Sequence, residues 1–352
     1  MKEAAANVTL LSLNSSKIRS DVFRYASIAA VPLSAIGLLA NLFIFIVLSN
    51  RKRFSQMTYT LIRISVVSDG ISCISSLICY CMIGIYPLSE SEGRAVCRTV
   101  VFTSVTSYAI SMMTLAMIAI ERYFAIIRPF SSYYRNKKNQ IVAIGQLIIW
   151  IISASISVPT LFFVNVYPDS TEFCDLPNMT MNKSIYLYIF TFVLYFVPTF
   201  IIVGTYWKII QHQMSHVRPG NLTDERRQND EVKRKQMIKV LVSITAYYIL
   251  TTWPFFAGII GLGITQKSGR DLVNENIAFY LLYFFSMKVT LGITILSPFL
   301  YLKFDKNILD ESKKRLRGCW KSPNQSKKNN IIIVSGAKPT IHSISTRNTN
   351  QY

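Results

Sequence analysis

The sequence predicts an all-α membrane protein: a seven-transmembrane-helix bundle followed by a short amphipathic eighth helix. Three observations carry that prediction. Hydrophobic residues make up 51% of the 352-residue chain, more than a soluble domain of this size normally carries. Seven apolar stretches recur along it, each near the roughly 20 residues that cross a bilayer as a helix. The net charge of +20 is one-sided. If the helices alternate in direction, nine basic and nine acidic residues cancel on one side and the whole excess falls on the other, as the positive-inside rule requires of cytoplasmic segments. Such a face suits anionic membrane lipid and an acidic cytosolic partner, and its location argues against nucleic acid.

Residues 1–24 are polar and hold two glycosylation sequons, at Asn7 and Asn14, as expected of an extracellular tail. They lack the apolar core of a cleavable signal, so the first span, residues 25–48, is expected to direct insertion. The second span, residues 59–86, carries Asp69 deep inside, where a carboxylate needs a proton or a cation. The third begins at Cys97 and has an apolar run over residues 100–120. Its polar exceptions Ser104, Ser107, Ser111 and Thr114 share one helical face, which belongs against other helices rather than lipid. It ends in Glu121-Arg122-Tyr123. Read alone, that pair is equally well an ordinary solvated helix end with snorkelling cations.

Spans four to seven cover residues 141–164, 185–210, 237–264 and 277–302, with prolines at 159, 198, 254 and 298. A proline within a span frees a backbone carbonyl and makes a hinge. The loop 211–235 is charge-rich. His212 and His216 have helical metal-ligand spacing but no third ligand, which fits a solvated face. The domain plan is therefore a tail (1–24), a bundle (25–303), a basic amphipathic surface helix (304–319) and a disordered tail (320–352). Cys319 is a palmitoylation candidate. Ser343, Ser345, Thr346 and Thr349 are phosphorylation candidates.

Cys97 together with Glu121-Arg122-Tyr123 resembles the third helix of the rhodopsin-like G-protein-coupled receptors. The resemblance extends over all seven spans: Asn41 in the first, Asp69 in the second, Trp150 and Pro159 in the fourth, Pro198 and Tyr206 in the fifth, Pro254 in the sixth, and Ser297-Pro298-Phe299-Leu300-Tyr301 in the seventh. It implies a receptor that converts binding of an extracellular ligand into activation of a heterotrimeric G protein. Glu121, Arg122, Tyr123, Tyr206, Pro254, Pro298 and Tyr301 would carry the coupling. It further implies plasma-membrane location with the N-terminus outside and the C-terminus in the cytosol, with receptor kinase and arrestin as later partners. No organic cofactor is expected; a sodium ion at Asp69 and Ser111 is implied as an allosteric ligand. Cys97 and Cys174 are the two cysteines expected outside, in an oxidising compartment, and a disulfide between them is the economical reading.

Several positions depart from the family pattern. Ser65-Val66 replaces Leu-Ala before Asp69, Tyr248 stands where Phe is usual, and Ser297 replaces the Asn of Asn-Pro-x-x-Tyr. Thr252 takes the place of the switch tryptophan. Trp253 follows one residue late, rotated about 100° around the helix. Arg234 occupies the position of the acid that usually faces Arg122. The monoamine-binding Asp is Ser104 here, and the retinal-linking Lys is Leu291. Lys288 stands as a counter-ion for an acidic ligand group or a pocket residue. Its ordinary alternative is snorkelling. An acidic loop (Asp169, Glu172, Asp175) with Phe255, Phe256, Tyr280 and Tyr283 suits a peptide with basic or aromatic side chains. Ser104, Ser107, Phe255, Phe256, Tyr283 and Lys288 are the expected pocket residues. A non-peptide ligand is the alternative. A transporter or channel would show internal repeats or paired intramembrane charges, and a membrane enzyme would need a nucleophile or metal set. The sequence has neither signature.

Overall fold

The computed structural model describes residues 2–50, 52–85, 88–127, 132–215 and 225–320. Eleven α-helices and one hairpin follow in order among these residues: α1 Lys2–Leu48, α2 Met57–Ile85, α3 Glu90–Ile127, α4 Ser132–Ser157, α5 Thr160–Phe163, β1 Asn165–Tyr167, β2 Ser170–Asp175, α6 Met181–Thr191, α7 Val197–Ser215, α8 Glu225–Thr265, α9 Gly269–Glu275, α10 Ile277–Phe304 and α11 Lys306–Trp320. Contacts divide the chain at Leu309/Asp310. The first unit is the helical bundle. Within the second, Glu311 pairs with Arg315 one turn on.

Six stretches are long and apolar enough to cross a bilayer: Arg24–Leu48, Met57–Gly84, Glu90–Ile127, Lys137–Phe163, Met181–His212 and Thr245–Thr265. The seventh is a bent pair, Ile277–Thr290 and Gly292–Lys303, at 48°. This is a multi-pass membrane protein. Its large exposed apolar residues, among them Leu39, Ile78, Leu147, Phe200 and Leu282, lie on the outer faces of these helices, where lipid rather than water meets them. α3 is the most enclosed. Below, the end of the bundle that carries Cys97 is its mouth, and the end that carries Arg122 its foot.

The prolines act where chemistry requires. Pro198 cannot donate to the carbonyl four residues back, and the chain opens into a π turn over Phe192–Phe196, with the Val197 amide reaching Phe192 O. Pro298 likewise leaves Thr294 O without its helical donor. The Asn41 side chain on α1 supplies one at 3.0 Å and also donates to Gly37 O at 2.9 Å. Pro254 sits inside an unbroken α8.

Four features differ from the sequence expectation. The backbone of α1 is helical from Lys2, although only Arg24–Leu48 is of membrane character. α7 and α8 run into the charged loop, to Ser215 and from Glu225, because Glu, Arg, Gln and Lys are good helix formers in water. The fourth span breaks at Pro159, after which α5 makes one further turn. The segment after it folds into an antiparallel hairpin, with Asn165 opposite Asp175 and Tyr167 opposite Ser170.

Candidate functional site

At the mouth, Cys174 of β2 is disulfide-bonded to Cys97 of α3, with Cα atoms 5.5 Å apart. The expected pairing is present. Arg98 Nε donates to Val164 O at 3.0 Å, and Thr171 Oγ1 to Leu88 O at 3.0 Å. Gly93 makes this approach possible, since a Cβ there would stand 2.2 Å from Thr171 O. α9 is tied to the same hairpin. The Asp175 carboxylate accepts from the amides of Gly269 and Arg270, each at 2.9 Å, and from Tyr167 Oη at 2.8 Å. Burial, then the adjacent Asp175 charge, pushes the Tyr167 phenol above its usual range, so it remains a donor. Arg270 stacks on the Tyr167 ring at 4.4 Å and pairs with Asp169 at 2.6 Å. α9 itself starts in a capping box between Ser268 and Asp271.

Beneath the hairpin lies a cavity of about 110 Å³ walled by residues of α2, α3, α5, α6, α8 and α10. Of the residues expected to meet ligand, Ser104, Phe255, Tyr283 and Lys288 lie along this cavity, as does Tyr280. Two expected members are not among its walls. Ser107 turns its hydroxyl to Asp69 instead, and Phe256 is packed between Tyr108 and Tyr195 at centroid distances of 5.7 and 5.0 Å.

Below the cavity, Asp69 is fully buried. Ser111 and Ser107 donate to its Oδ1 at 2.8 and 3.2 Å, and Ser65 donates to Ser111 Oγ at 3.0 Å. Among the described residues Oδ2 has no hydrogen-bond partner within normal distance. A buried carboxylate ringed by hydroxyl oxygens is a donor set that fits a hard cation. Two departures from the family pattern meet nearby: the Tyr248 hydroxyl is hydrogen-bonded to Ser297 Oγ, which also donates to Ile293 O at 2.9 Å. Thr252 is fully buried and donates to Tyr248 O at 2.8 Å. Trp253 is 54% exposed, so its ring is turned out of the bundle.

At the foot, Glu121 and Arg122 are both buried. Glu121 Oε2 lies 3.1 Å from Arg122 Nε and accepts from Thr58 Oγ1 at 3.2 Å. Its Oε1 is 2.6 Å from Lys138 Nζ of α4. Arg122 Nη2 donates to Thr58 Oγ1 as well. A solvated helix end is thereby excluded for the pair. Tyr206 and Tyr301 are buried, and Lys208 lies 6.0 Å over the Tyr123 ring. Asp305 caps α11 by accepting from the amides of Asn307 and Ile308 at 2.9 and 3.1 Å. Burial raises its carboxyl pKa, against the lowering effect of those two amides.

Thr58 and Lys138 were not legible as partners of the acid–arginine pair, since neither sits in a local motif with it. The side chains of Asn7, Asn14, Glu172, Arg234 and Cys319 lie outside the described residues, as do His216 and the tail phosphorylation candidates.

A lipid-facing bundle with a stapled mouth, a buried central acid and a paired arginine at its foot defines a seven-helix membrane receptor. The chain belongs to the 7 transmembrane receptor (rhodopsin family) group, whose model matches residues 40–301, and is a G-protein-coupled receptor by that membership. It is similar to the mouse (Mus musculus) prokineticin receptor 2, at 24% identity over 87% of this chain and 82% of that protein. It is also similar to the rat (Rattus norvegicus) neuromedin-K receptor, at 23% over 81% and 62%. A QRFP-like peptide receptor of Branchiostoma floridae is 25% identical over 51% of each chain, so this match spans about half of that relative.

Proposed function

We propose that the chain is a plasma-membrane receptor for an extracellular peptide, signalling through a heterotrimeric G protein. The observation that carries the peptide reading is the set of similar proteins, which includes a peptide receptor by name together with prokineticin and neuromedin-K receptors. The apolar, aromatic cavity under a stapled hairpin supports it. In this reading the mouth faces outward with residues 1–24 extracellular and glycosylated at Asn7 and Asn14. The foot and the C-terminal tail face the cytosol, where receptor kinase and arrestin act on the tail.

Transmission runs through the bundle that residues 25–303 form. Ligand contacts beneath the hairpin bias α8 and α10 about Pro254 and Pro298. At the foot, Arg122 exchanges its present partners for the G protein, with Tyr123, Tyr206 and Tyr301 completing that surface. Sodium at Asp69, with Ser107 and Ser111 as further oxygen donors, would neutralise the buried carboxylate and favour one state. α11 would lie on the inner leaflet, with Cys319 as a lipid anchor. The test is agonist-dependent G-protein activation by wild type and Arg122→Ala at equal surface density. Loss in the variant supports the reading. Substrate uptake or current that persists without any G protein overturns it.

A further inference from the structure

The charges at the mouth say which sign of ligand the cavity takes. Six acids there have described side chains, and each is already engaged. Asp175 holds Gly269, Arg270 and Tyr167. Asp169 pairs with Arg270, Glu275 with Lys267, and Glu90 with Arg94. Asp271 accepts from Ser268 Oγ at 2.7 Å, and Glu92 from Ser89 Oγ at 2.6 Å. Asp169 and Asp175 tie the hairpin to α9, and the other four act within their own turn or helix. Among the described residues Asp175 is the acid at the cavity wall, and its oxygens accept from α9 amides.

Lys288 is the cationic wall of the cavity. Its ammonium lies over the rings of Tyr80 and Phe284, at 5.1 and 5.2 Å from their centroids, and donates to Tyr80 Oη at 3.2 Å. Two ring faces and a phenol fix where the charge sits. An ammonium has three donors and a full charge, so it can attract a ligand carboxylate while keeping its partners within the chain. The rest of the wall is chiefly apolar, including Val100, Val105, Phe190, Phe255, Ile259 and Met287. In such surroundings a charge acts strongly at short range: an amine entering here is repelled and a carboxylate is held. The space, about 110 Å³, is below the usual size of a whole-ligand site and suits one end of a longer molecule.

We infer that the cavity receives a carboxylate at Lys288, carried with an apolar side chain on the inserted end of the ligand. This rests on the peptide reading above for the rest of the ligand, and the group is either a free C-terminus or an acidic side chain near it. The test uses synthetic peptides ending in Leu, Phe or Tyr, made in three arms: free acid without Asp or Glu, amide without Asp or Glu, and amide with one Asp or Glu. A fourth arm holds non-peptide carboxylic acids with acyl or aryl groups. Each is applied to cells bearing wild type, Lys288→Arg, Lys288→Gln or Lys288→Glu at matched surface labelling, with promiscuous Gα and a calcium readout.

The expected result is that wild-type activators carry a carboxylate. They should lose roughly 10- to 100-fold in potency on Lys288→Gln and stay within a few-fold on Lys288→Arg, the range for a charge-assisted hydrogen bond. The arm that is active names the source of the carboxylate. Activators equally potent as acid and amide, or unmoved by Lys288→Gln while wild type and variant reach the surface equally, overturn the inference. Activity confined to the non-peptide arm, with the Lys288→Gln loss intact, keeps the carboxylate site and overturns the peptide reading instead.

Discussion

Glu121 on α3 divides its carboxylate between two cations, with Lys138 Nζ 2.6 Å from Oε1 and Arg122 Nε 3.1 Å from Oε2. Lys138 therefore helps to hold the acid that holds the arginine, from a neighbouring helix. Its side chain is 30% exposed, so the pair is worth about 1 kcal/mol or less, and Lys138→Met should raise ligand-independent G-protein activation about two- to five-fold. Glu121→Gln strips a buried cation of its counter-charge, a loss of about 3 kcal/mol or more for such pairs, and should raise it further. Basal signalling normalised to surface density checks both. An unchanged basal level in Lys138→Met removes Lys138 from the restraint.

Asn41 is expected to matter for stability through Pro298. Asn41→Ala removes the side-chain donor that Thr294 O takes in place of the residue-298 amide, a cost of about 1–3 kcal/mol. Pro298→Ala restores a helical N–H to that carbonyl. The double variant should therefore lose less than the sum of the single losses, by about 0.5–1.5 kcal/mol. Thermal melting of the detergent-solubilised receptor reads the cycle, and strict additivity would refute the exchange of donors.

Sodium should stabilise the solubilised receptor through Asp69. An ion at about five times its dissociation constant contributes about 1 kcal/mol. Replacing potassium by sodium should therefore raise the melting temperature of wild type by a few degrees and leave Asp69→Asn unmoved. Equal responses in the two proteins would dissociate the ion from this acid.

Asp175→Ala should uncouple α9 from the hairpin without breaking the disulfide. Three donors, two of them backbone amides, lose their acceptor, at about 1–3 kcal/mol for each buried one. Hydrogen exchange should rise in residues 269–275 while Cys97–Cys174 stays oxidised. Unaltered exchange there would show that the capping box alone holds α9.

The spans were legible because lipid imposes one requirement on every residue, an apolar length near 20, and the disulfide because cysteine is scarce at the mouth. The offset of Trp253 from the switch position was legible, and its outward-facing ring was not. The hairpin was hidden, since Val166 and Phe173 alternate over too few residues to stand out from a loop. α9 did leave a signal, the Ser268–Asp271 spacing of a capping box. Lys138 and Thr58 left none: they reach Glu121 across 17 and 63 residues, and only the packing of three helices brings them together. Tyr248 and Ser297 looked like separate departures and are one feature, a hydroxyl pair joining α8 to α10.

α3 runs from Glu90 to Ile127 without proline or interruption, a rod of about 57 Å at 1.5 Å per residue. One tip is riveted to the hairpin and the other bears the paired arginine. Such a member resists bending along its whole length. If the proline-bearing helices move on activation as proposed, labels on α3 would make the steadiest reference for measuring their travel.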